Sequence, residues 1–477
     1  MLPALNTLSA KDLYLRLDQL LLQLRPAFKR NATFQWFFLL VWSFFLRHDT
    51  RGVTSCLNAL GLSESHYHDA LHFFRSSALD NDQLAVAWYR LVSTHPDVHR
   101  LHGRPVHVCD DIKVPKAGRR MPAVKKLHQE SENNDKPPWI QGHFFGAIGI
   151  LAGKPGAMYH VPIRYEIHDG LTDSTEETVL TSVMRMVMLV KSVVVGPAFL
   201  LADAFFASET VLAGCTAAHI DVITRARSST VAYRPLPPPP EKRGRGRPRK
   251  WGDRVKLAEQ FNEKEGWREE ELRLYDGPKK VRWKVIDLHW YSHQQLVRFV
   301  LVAIDDRCKA ILLSTDRSLT GAEIIEAYSW RFRIETQFRA MHQTMDAFGY
   351  HFWTKAMNRQ PRWSGNLDIG ILDAKARKKV KDTVAACERF VNVAGISLGL
   401  LQILSLEMSA KVRESFPGWL RTFPLDKLAS ELVVRLTLQH HAQGILLGRP
   451  DGLLLPKILE SMASRATLQR PNIQATG

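Results

Sequence analysis

The spacing of apolar positions changes twice along the chain. From the amino terminus to about residue 104 it is helical. Leu13, Leu15, Leu17, Leu20, Leu21, Leu22 and Leu24 crowd one segment, with Arg16, Asp18 and Arg25 interspersed. Val53 to Leu60, Gly61, then Ser63 to Phe74 read as helix, glycine turn, helix. Ser63 is placed to cap the second helix, and Glu64 suits its positive end. This spacing fits a helix-turn-helix with its second helix in the DNA major groove, and equally a plain helical hairpin.

From Arg104 the pattern becomes strand-like. Pro105 to Cys109 is a short apolar strand that runs into Asp110 and Asp111. His143 to Ala152, a Gly-Lys-Pro-Gly turn and Met158 to Ile167 read as strand, turn, strand. A helix over Glu176 to Val193 follows, then a buried-type strand from Pro197 to Ala202 that ends in Asp203. Ser208 to Ala218 is a helix with Ser208 as cap, and Ile220 to Arg225 is a further strand. The first three strands should form an antiparallel meander. The helix-linked ones should be parallel, because a βαβ crossover delivers that geometry.

Five prolines between residues 235 and 240 break the pattern, and EKRGRGRPRK at 241–250 sets six basic residues against one acid. Strands are expected at Val281 to Trp290, Leu296 to Ile304 and Ala310 to Ser314, so 230–315 reads as a β-rich insertion behind a basic arm. Gly321 to Met345 reads as one long helix. The remainder is largely helical, with a buried-looking stretch at Val391 to Met408.

At 477 residues the chain is about three domain lengths of roughly 150 residues each. Its 45% apolar and 24% charged residues rule out global disorder. Lys plus Arg is 65 and Asp plus Glu is 48, so the net charge is 65 − 48 = +17, which favours polyanionic partners. Five cysteines at 56, 109, 215, 308 and 387 make no CxxC pair, so neither a zinc ribbon nor a disulfide framework is indicated, and a reducing cytosol fits. The apolar run Trp36 to Leu46 is short of the roughly 20 residues of a spanning helix. Met184 to Phe206 is interrupted by Arg185, Lys191 and Asp203, and no secretory signal opens the chain, so no membrane partner is expected. Residues 244–248 do not form a Walker loop, so no nucleotide cofactor is expected either.

Three acids occupy telling places. Asp110 and Asp203 close strands, and in open sheets chemistry gathers at the carboxyl ends of parallel strands. Glu335 lies in the helix after the insertion, where Tyr328, Arg331, Glu335 and His342 are spaced 3, 4 and 7 apart. At about 100° per residue these fall within an arc of roughly 60° on one helical face. Arginine forks onto phosphate oxygens. Three carboxylates suit Mg²⁺, and two such ions about 3.5–4 Å apart can serve both the attacking and the leaving oxygen of a phosphodiester. Each residue also has a plain reading. Asp110-Asp111 can form a turn, Asp203 can cap the next helix, and Arg331 and Glu335 can be a simple i,i+4 pair.

The segment LSTDRSLTGAEIIEAYSWRFRIETQFRAMHQTM at 313–345 resembles the Tyr-x2-Arg-x3-Glu-x6-Lys signature of the IS4-type DDE transposases of bacterial insertion sequences, with His342 in the Lys place. VHVCDDIKVPKAG at 106–118 and PAFLLADAFFAS at 197–208 resemble the family's first-Asp and second-Asp strands, and residues 69–77 look like its helical amino-terminal text. The resemblance implies an α/β fold. Its RNase H-like core, a mixed five-stranded sheet with helices, would be interrupted by the β-rich insertion and flanked by helical amino- and carboxyl-terminal regions.

The implied parts are a helical DNA-binding region at 1–104, the core at 105–229, the arm and insertion at 230–315, the Glu-bearing helix at 316–365 and a helical region at 366–477. Asp110, Asp203 and Glu335 would hold two Mg²⁺ ions, with Mn²⁺ as a substitute. Tyr328, Arg331 and His342 would contact DNA. Asp111 competes with Asp110 for the first metal position, since one residue of register flips the side chain to the other sheet face. Arg245-Gly246-Arg247-Pro248 of the arm resembles an AT-hook, which would lie in an A·T-rich minor groove; otherwise Arg243, Arg245, Arg247, Arg249 and Lys250 touch phosphates without sequence preference.

The implied activity is cleavage at the ends of a transposable element and transfer of the 3′-hydroxyls to target DNA. The implied partners are double-stranded DNA and a second copy of the chain on paired ends, in the cytoplasm at the nucleoid. A hairpin intermediate would draw on an insertion aromatic, Trp283 or Trp290, though both also suit a core. Rival readings are a catalytically inactive DNA-binding relative and an RNase H-like nuclease without strand transfer.

Overall fold

The computed structural model describes residues 3–49, 52–129, 137–177, 180–237, 249–274, 277–290, 295–304, 308–419, 424 and 427–468. The amino-terminal part forms α1 (Pro3–Gln23), α2 (Asn31–Leu46), α3 (Gly52–Ala59), α4 (Tyr67–Arg75) and α5 (Asn81–Ser93). The middle forms β1 (Arg100–Leu101), β2 (Arg104–Pro115), β3 (Lys125–His128), β4 (Trp139–Lys154), β5 (Ala157–Ile167), β6 (Leu171–Thr172), α6 (Ser182–Val193), β7 (Ala198–Ala202), α7 (Glu209–Thr216) and β8 (Ile220–Ala226). There follow β9 (Val231–Tyr233), β10 (Arg254–Lys256), β11 (Arg268–Leu274), β12 (Gly277–Trp290), β13 (Leu296–Ile304) and β14 (Cys308–Ser314). The chain then runs through α8 (Gly321–Trp330), α9 (Arg333–Gln343), β15 (Leu367–Asp368), α10 (Ala374–Ser415), α11 (Glu431–Gly448) and α12 (Leu454–Leu468).

The expected meander is present: β4 pairs antiparallel with both β2 and β5. The helix-linked strands are parallel, β2 to β7 and β7 to β8. β7 (AFLLA) is buried at every position because helices cover both faces of a parallel region. The β-rich segment is not a separate piece. β14 pairs antiparallel with β8, and β13, β12 and β9 continue outward, so these strands extend the same sheet.

Alternation along β2 and β7 divides two cores. Val106, Val108, Phe199 and Leu201 face a layer with Ile324 and Ile325 of α8 and Ile334 of α9. Cys109, Leu200 and Ala202 face the other way, toward the larger cluster that includes α6, α7 and α10. That cluster also joins the two ends of the chain, because α1 and α2 pack against α10 and α11. Within α10, Val391 to Leu404 is buried and the helix is kinked at Met408. By length and composition α10 could cross a membrane, but most of its apolar window is buried inside the fold.

The amino ends of the parallel strands are stapled by charge. Arg104 of β2 donates to Asp221 of β8 at 2.6 Å and to Asp316 beyond β14, and its guanidinium lies over the Phe199 ring at 3.8 Å. Asp203 follows the carboxyl end of β7, whereas the first strand does not stop at Asp110 as expected: β2 runs on through Asp110 and Asp111 to Pro115, because β4 stays paired with it there.

Three local expectations are corrected. The helix over Gly321 to Met345 is two helices, broken at Arg331 and Phe332. Bonds of i→i+3 type (Arg331 N to Tyr328 O, Ile334 N to Arg331 O) tighten the chain there, and α8 follows β8 and β11–β14 while α9 follows β2 and β5. Ser63 caps nothing with its side chain. Its Oγ meets Ser65 and His66 instead, and after a short 3₁₀ turn α4 begins only at Tyr67. The helix expected from Glu176 begins at Ser182, where the Thr181 hydroxyl accepts the Met184 N–H, a cap worth about 1 kcal/mol.

Candidate active site

Asp110 reaches the site through strand parity. It shares the β2 face of Val106 and Val108, under α8 and α9, whereas Asp111 shares the opposite face with Cys109. The β2–β7 ladder pairs Val106 with Phe199 and Val108 with Leu201, a constant offset of 93 residues (199 − 106). Continued two residues past the Val108–Leu201 pair, this offset sets Asp110 opposite Asp203 (203 − 110 = 93). Asp203 has the parity of Phe199 and Leu201, so both acids belong to one face.

Arg331 completes the arrangement from above. Its Nη1 donates to Asp110 Oδ2 at 2.9 Å and its Nη2 to Glu335 Oε1 at 3.0 Å. The break between α8 and α9 puts this guanidinium over the middle of β2. The i,i+4 pair with Glu335 therefore exists, but as half of a bridge to an acid 221 residues away. The Arg331 and Asp110 side chains are 17% and 18% exposed and that of Glu335 is 46% exposed, so the bridge runs from the protein interior to its surface.

The remaining contacts fix the two aspartates. Asp110 Oδ1 accepts the Asp111 N–H at 2.9 Å. Asp203 Oδ1 accepts the Ala204 N–H at 2.7 Å, so it caps a 3₁₀ turn rather than the next helix, which Ser208 caps, and the Thr224 hydroxyl donates to its carbonyl at 2.9 Å. Burial pushes the Asp110 carboxyl up to about 7; Arg331 opposes this, and the Asp111 and Asp203 charges add to it. Burial would lower the Arg331 guanidinium, yet Asp110, Tyr328, Asp203 and Glu335 hold it above its ordinary value. Tyr328 is pushed up to about 12, chiefly by burial, with Arg331 and Arg225 drawing it down and Asp203 raising it. Arg225, at the end of the β8 strand, thus belongs to the neighbourhood. Its only sequence signal is the place where that strand ends.

His342 is not in this cluster. It sits two helical turns beyond Glu335, about 10 Å along α9, with its ring 4.7 Å from that of Phe348. Desolvation and the nearby Lys116 cation lower its pKa, so the imidazole is neutral at pH 7. Lys116 itself is tied to the carbonyls of Phe348 and Tyr350. Trp283 is buried against Gly321 at the start of α8, and Trp290 is partly buried, so both serve the core. Arg243, Arg245 and Arg247 lie outside the described residues. Arg249 stands 4.0 Å from Asp253, and the Lys250 ammonium lies 5.3 Å from the Trp251 ring centroid.

Among the described residues, no group of three or more His, Cys, Asp or Glu side chains is gathered closely enough to hold a metal ion. Arg331 is the cation between Asp110 and Glu335. The donors themselves are all carboxylate oxygens, the chemistry a hard divalent ion selects, and burial of Asp110 beside Asp203 raises the cost of leaving both charged without a counter-ion.

Residues 175–293, about a quarter of the chain, match the family described as DDE superfamily endonuclease; the span includes Asp203 and ends before Glu335. No curated protein matches the sequence. Among solved structures, the chain is similar at 11% identity and a TM-score of 0.38 to the cryo-EM structure of a piggyBac transposase synaptic complex with hairpin DNA, over 94% of this chain and 78% of that one. The chain thus carries, over residues 175–293, a stretch similar to DDE superfamily endonucleases.

Proposed function

We propose that the chain is a DNA transposase of IS4 type, with an RNase H-like core, that cleaves the ends of an insertion sequence and joins the freed 3′-hydroxyls to target DNA. The observation that carries this reading is the Arg331 bridge from Asp110 to Glu335, set where the strand register levels Asp110 with Asp203.

Asp110, Asp203 and Glu335 would hold two Mg²⁺ ions, or Mn²⁺ in their place. Bound there, the ions supply Lewis-acid activation of the attacking oxygen and charge relief at the leaving one. The chain's own groups do the rest. Arg331 holds the two outer acids together in the DNA-free chain, and a phosphate competes for the same fork, so binding DNA frees the carboxylates. Tyr328, beside Arg331 and Asp203, donates its phenolic proton to a phosphate oxygen. The largely buried face beneath α8 and α9 limits the access of bulk water to Asp110. His342, neutral, can donate one hydrogen bond but no charge, so it replaces the lysine of the signature only in part. Arg243, Arg245, Arg247, Arg249 and Lys250 contact the DNA backbone, and two copies act on paired ends.

The test uses supercoiled DNA bearing the element's own flanking repeats. Glu335→Gln should abolish nicking in Mg²⁺ or Mn²⁺ while DNA binding persists; nicking at the wild-type rate overturns the reading. A pre-cut end with a free 3′-hydroxyl separates a transposase, which yields joined product, from a plain nuclease.

A further inference from the structure

A second surface lies beyond the acids, at the far end of the strand that carries Asp110. Residues 112–128 hold six Lys or Arg and no Asp or Glu, and residues 347–367 hold three and none. The structure folds these two stretches onto one another. Gln360 N donates to Arg119 O at 2.8 Å, Thr354 N to Arg120 O at 3.0 Å, and Lys126 N to Ser364 O at 2.8 Å.

Large aromatics are exposed on and beside these stretches, where Lys125 pairs with Asp169 at 2.7 Å: Trp363 at 52%, Trp353 at 50% and, on β4, Trp139 at 42%. The Lys126 ammonium lies 4.1 Å from the Trp139 ring centroid, and Gln141, two residues along β4, accepts the Trp363 N–H at 3.1 Å. Trp363 has φ +65°, a conformation costly for a bulky side chain and kept where the surroundings enforce it. Beside it opens a cleft of ≈ 390 Å³ lined by Pro115, Lys116, Ala117, Gln141, Arg362 and Trp363.

We infer that this cleft is a nucleotide subsite for an unpaired DNA strand. A base stacks on the Trp363 indole, and Arg362 pairs with the adjoining phosphate. The combination decides the ligand class: a surface rich in Lys and Arg follows a phosphate backbone, and an exposed indole offers a face to any unstacked base. Pro115 is five residues from Asp110 on β2, about 16 Å, so the strand entering the cleft is about five nucleotides from the cutting site. The inference rests on the DNA reading of the clustered acids and adds where a splayed strand is held.

The full chain is titrated with a fluorescent oligo-dT 20-mer and, separately, a blunt duplex. Trp363→Ala should weaken single-strand binding about tenfold or more, the effect of removing one stacking platform, and leave duplex binding within about twofold. Trp363→Phe should restore most of the loss, and Arg362→Ala should lower the salt slope on the single strand by about 0.7. Wild-type protein irradiated on oligo-dT carrying 5-iododeoxyuridine should form its adduct within residues 353–364, a readout that needs no variant to fold. Unchanged single-strand affinity in Trp363→Ala, equal loss on duplex, or adducts only elsewhere would overturn the subsite. Binding needs no cleavage, so the two readings fail separately. If wild type does not cut but Trp363→Ala still loses the single strand, the subsite stands alone; if Glu335→Gln stops cutting but Trp363→Ala binds normally, only the subsite falls.

Discussion

Asp110, midway along β2, and Asp203, just past the end of β7, have the same face parity and the same 93-residue offset as the Val106–Phe199 and Val108–Leu201 pairs of the parallel β2–β7 ladder. Asp111, its immediate neighbour, belongs to the other face. Asp110→Asn should therefore abolish DNA cleavage, whereas Asp111→Asn should retain at least about a tenth of it, a difference of more than 1.4 kcal/mol in the barrier. A gel-based cleavage time course on both variants checks this. Equal inactivation of the two would mean that parity does not choose the acid.

The fork of Arg331 touches two carboxylates at once, which a lysine ammonium cannot reproduce in the same geometry. Arg331→Lys should cut at least about tenfold more slowly at saturating DNA, with its affinity for the duplex much less affected. A near wild-type rate would show that the bridge is only a surface ion pair, worth at most about 1 kcal/mol.

Gly321 begins α8 against Trp283 of β12, where an added Cβ would come within 2.4 Å of the indole. Gly321→Ala should destabilise the fold by about 1–3 kcal/mol, seen as a lower urea midpoint, because the ring or the helix must shift. It should also slow cleavage, since α8 carries Tyr328. An unchanged midpoint would mean that the helix start adjusts freely.

His143 is wholly buried between two partners. Its Nε2–H donates to Pro122 O at 2.8 Å, and its Nδ1 accepts the Tyr350 hydroxyl at 2.6 Å, a pairing open only to the neutral ring. Burial, aided by the Lys116 cation, lowers its pKa from 6.5 to about 3. The unfolded chain therefore takes up the proton first as pH falls. The stability that His143 contributes is complete above about 6.5 and declines toward 3, by at most about 1.4 kcal/mol per pH unit. The stability difference between wild type and His143→Gln should be widest at pH 7 and shrink by pH 5. A difference that stays constant across that range would contradict this titration.

Neutralising Arg243, Arg245, Arg247 and Arg249 together should lower the salt slope of duplex binding by about 3 to 4, near 0.9 for each phosphate that no longer has its arginine. Binding isotherms at several salt concentrations give that slope directly. If it does not change, the arm stays off DNA.

Much of this was legible in the chain because period and parity are local. β7 reads as a buried strand from AFLLA, and the order of meander and crossovers follows from its neighbours. The Tyr328, Arg331 and Glu335 spacing reads as one continuous helical face. It did not show the break at Arg331, because no proline or glycine signals it and the cause lies in the different strands beneath α8 and α9. Nor could spacing show that Arg331 turns to Asp110 as well as to Glu335. Ser63 misled because its hydroxyl found Ser65 and His66 before a helix N–H. The Trp363 cleft was invisible because residues 112–128 and 347–367 meet only in the fold.

The most direct measurement is single-turnover cleavage of end-bearing DNA by wild type, Asp110→Asn, Asp203→Asn and Glu335→Gln, with binding of each followed in parallel. The expected result is that wild type cuts in Mg²⁺ and all three variants bind DNA without cutting it. If any one of the three cuts at the wild-type rate, the acids do not act as one site and the proposed chemistry is wrong.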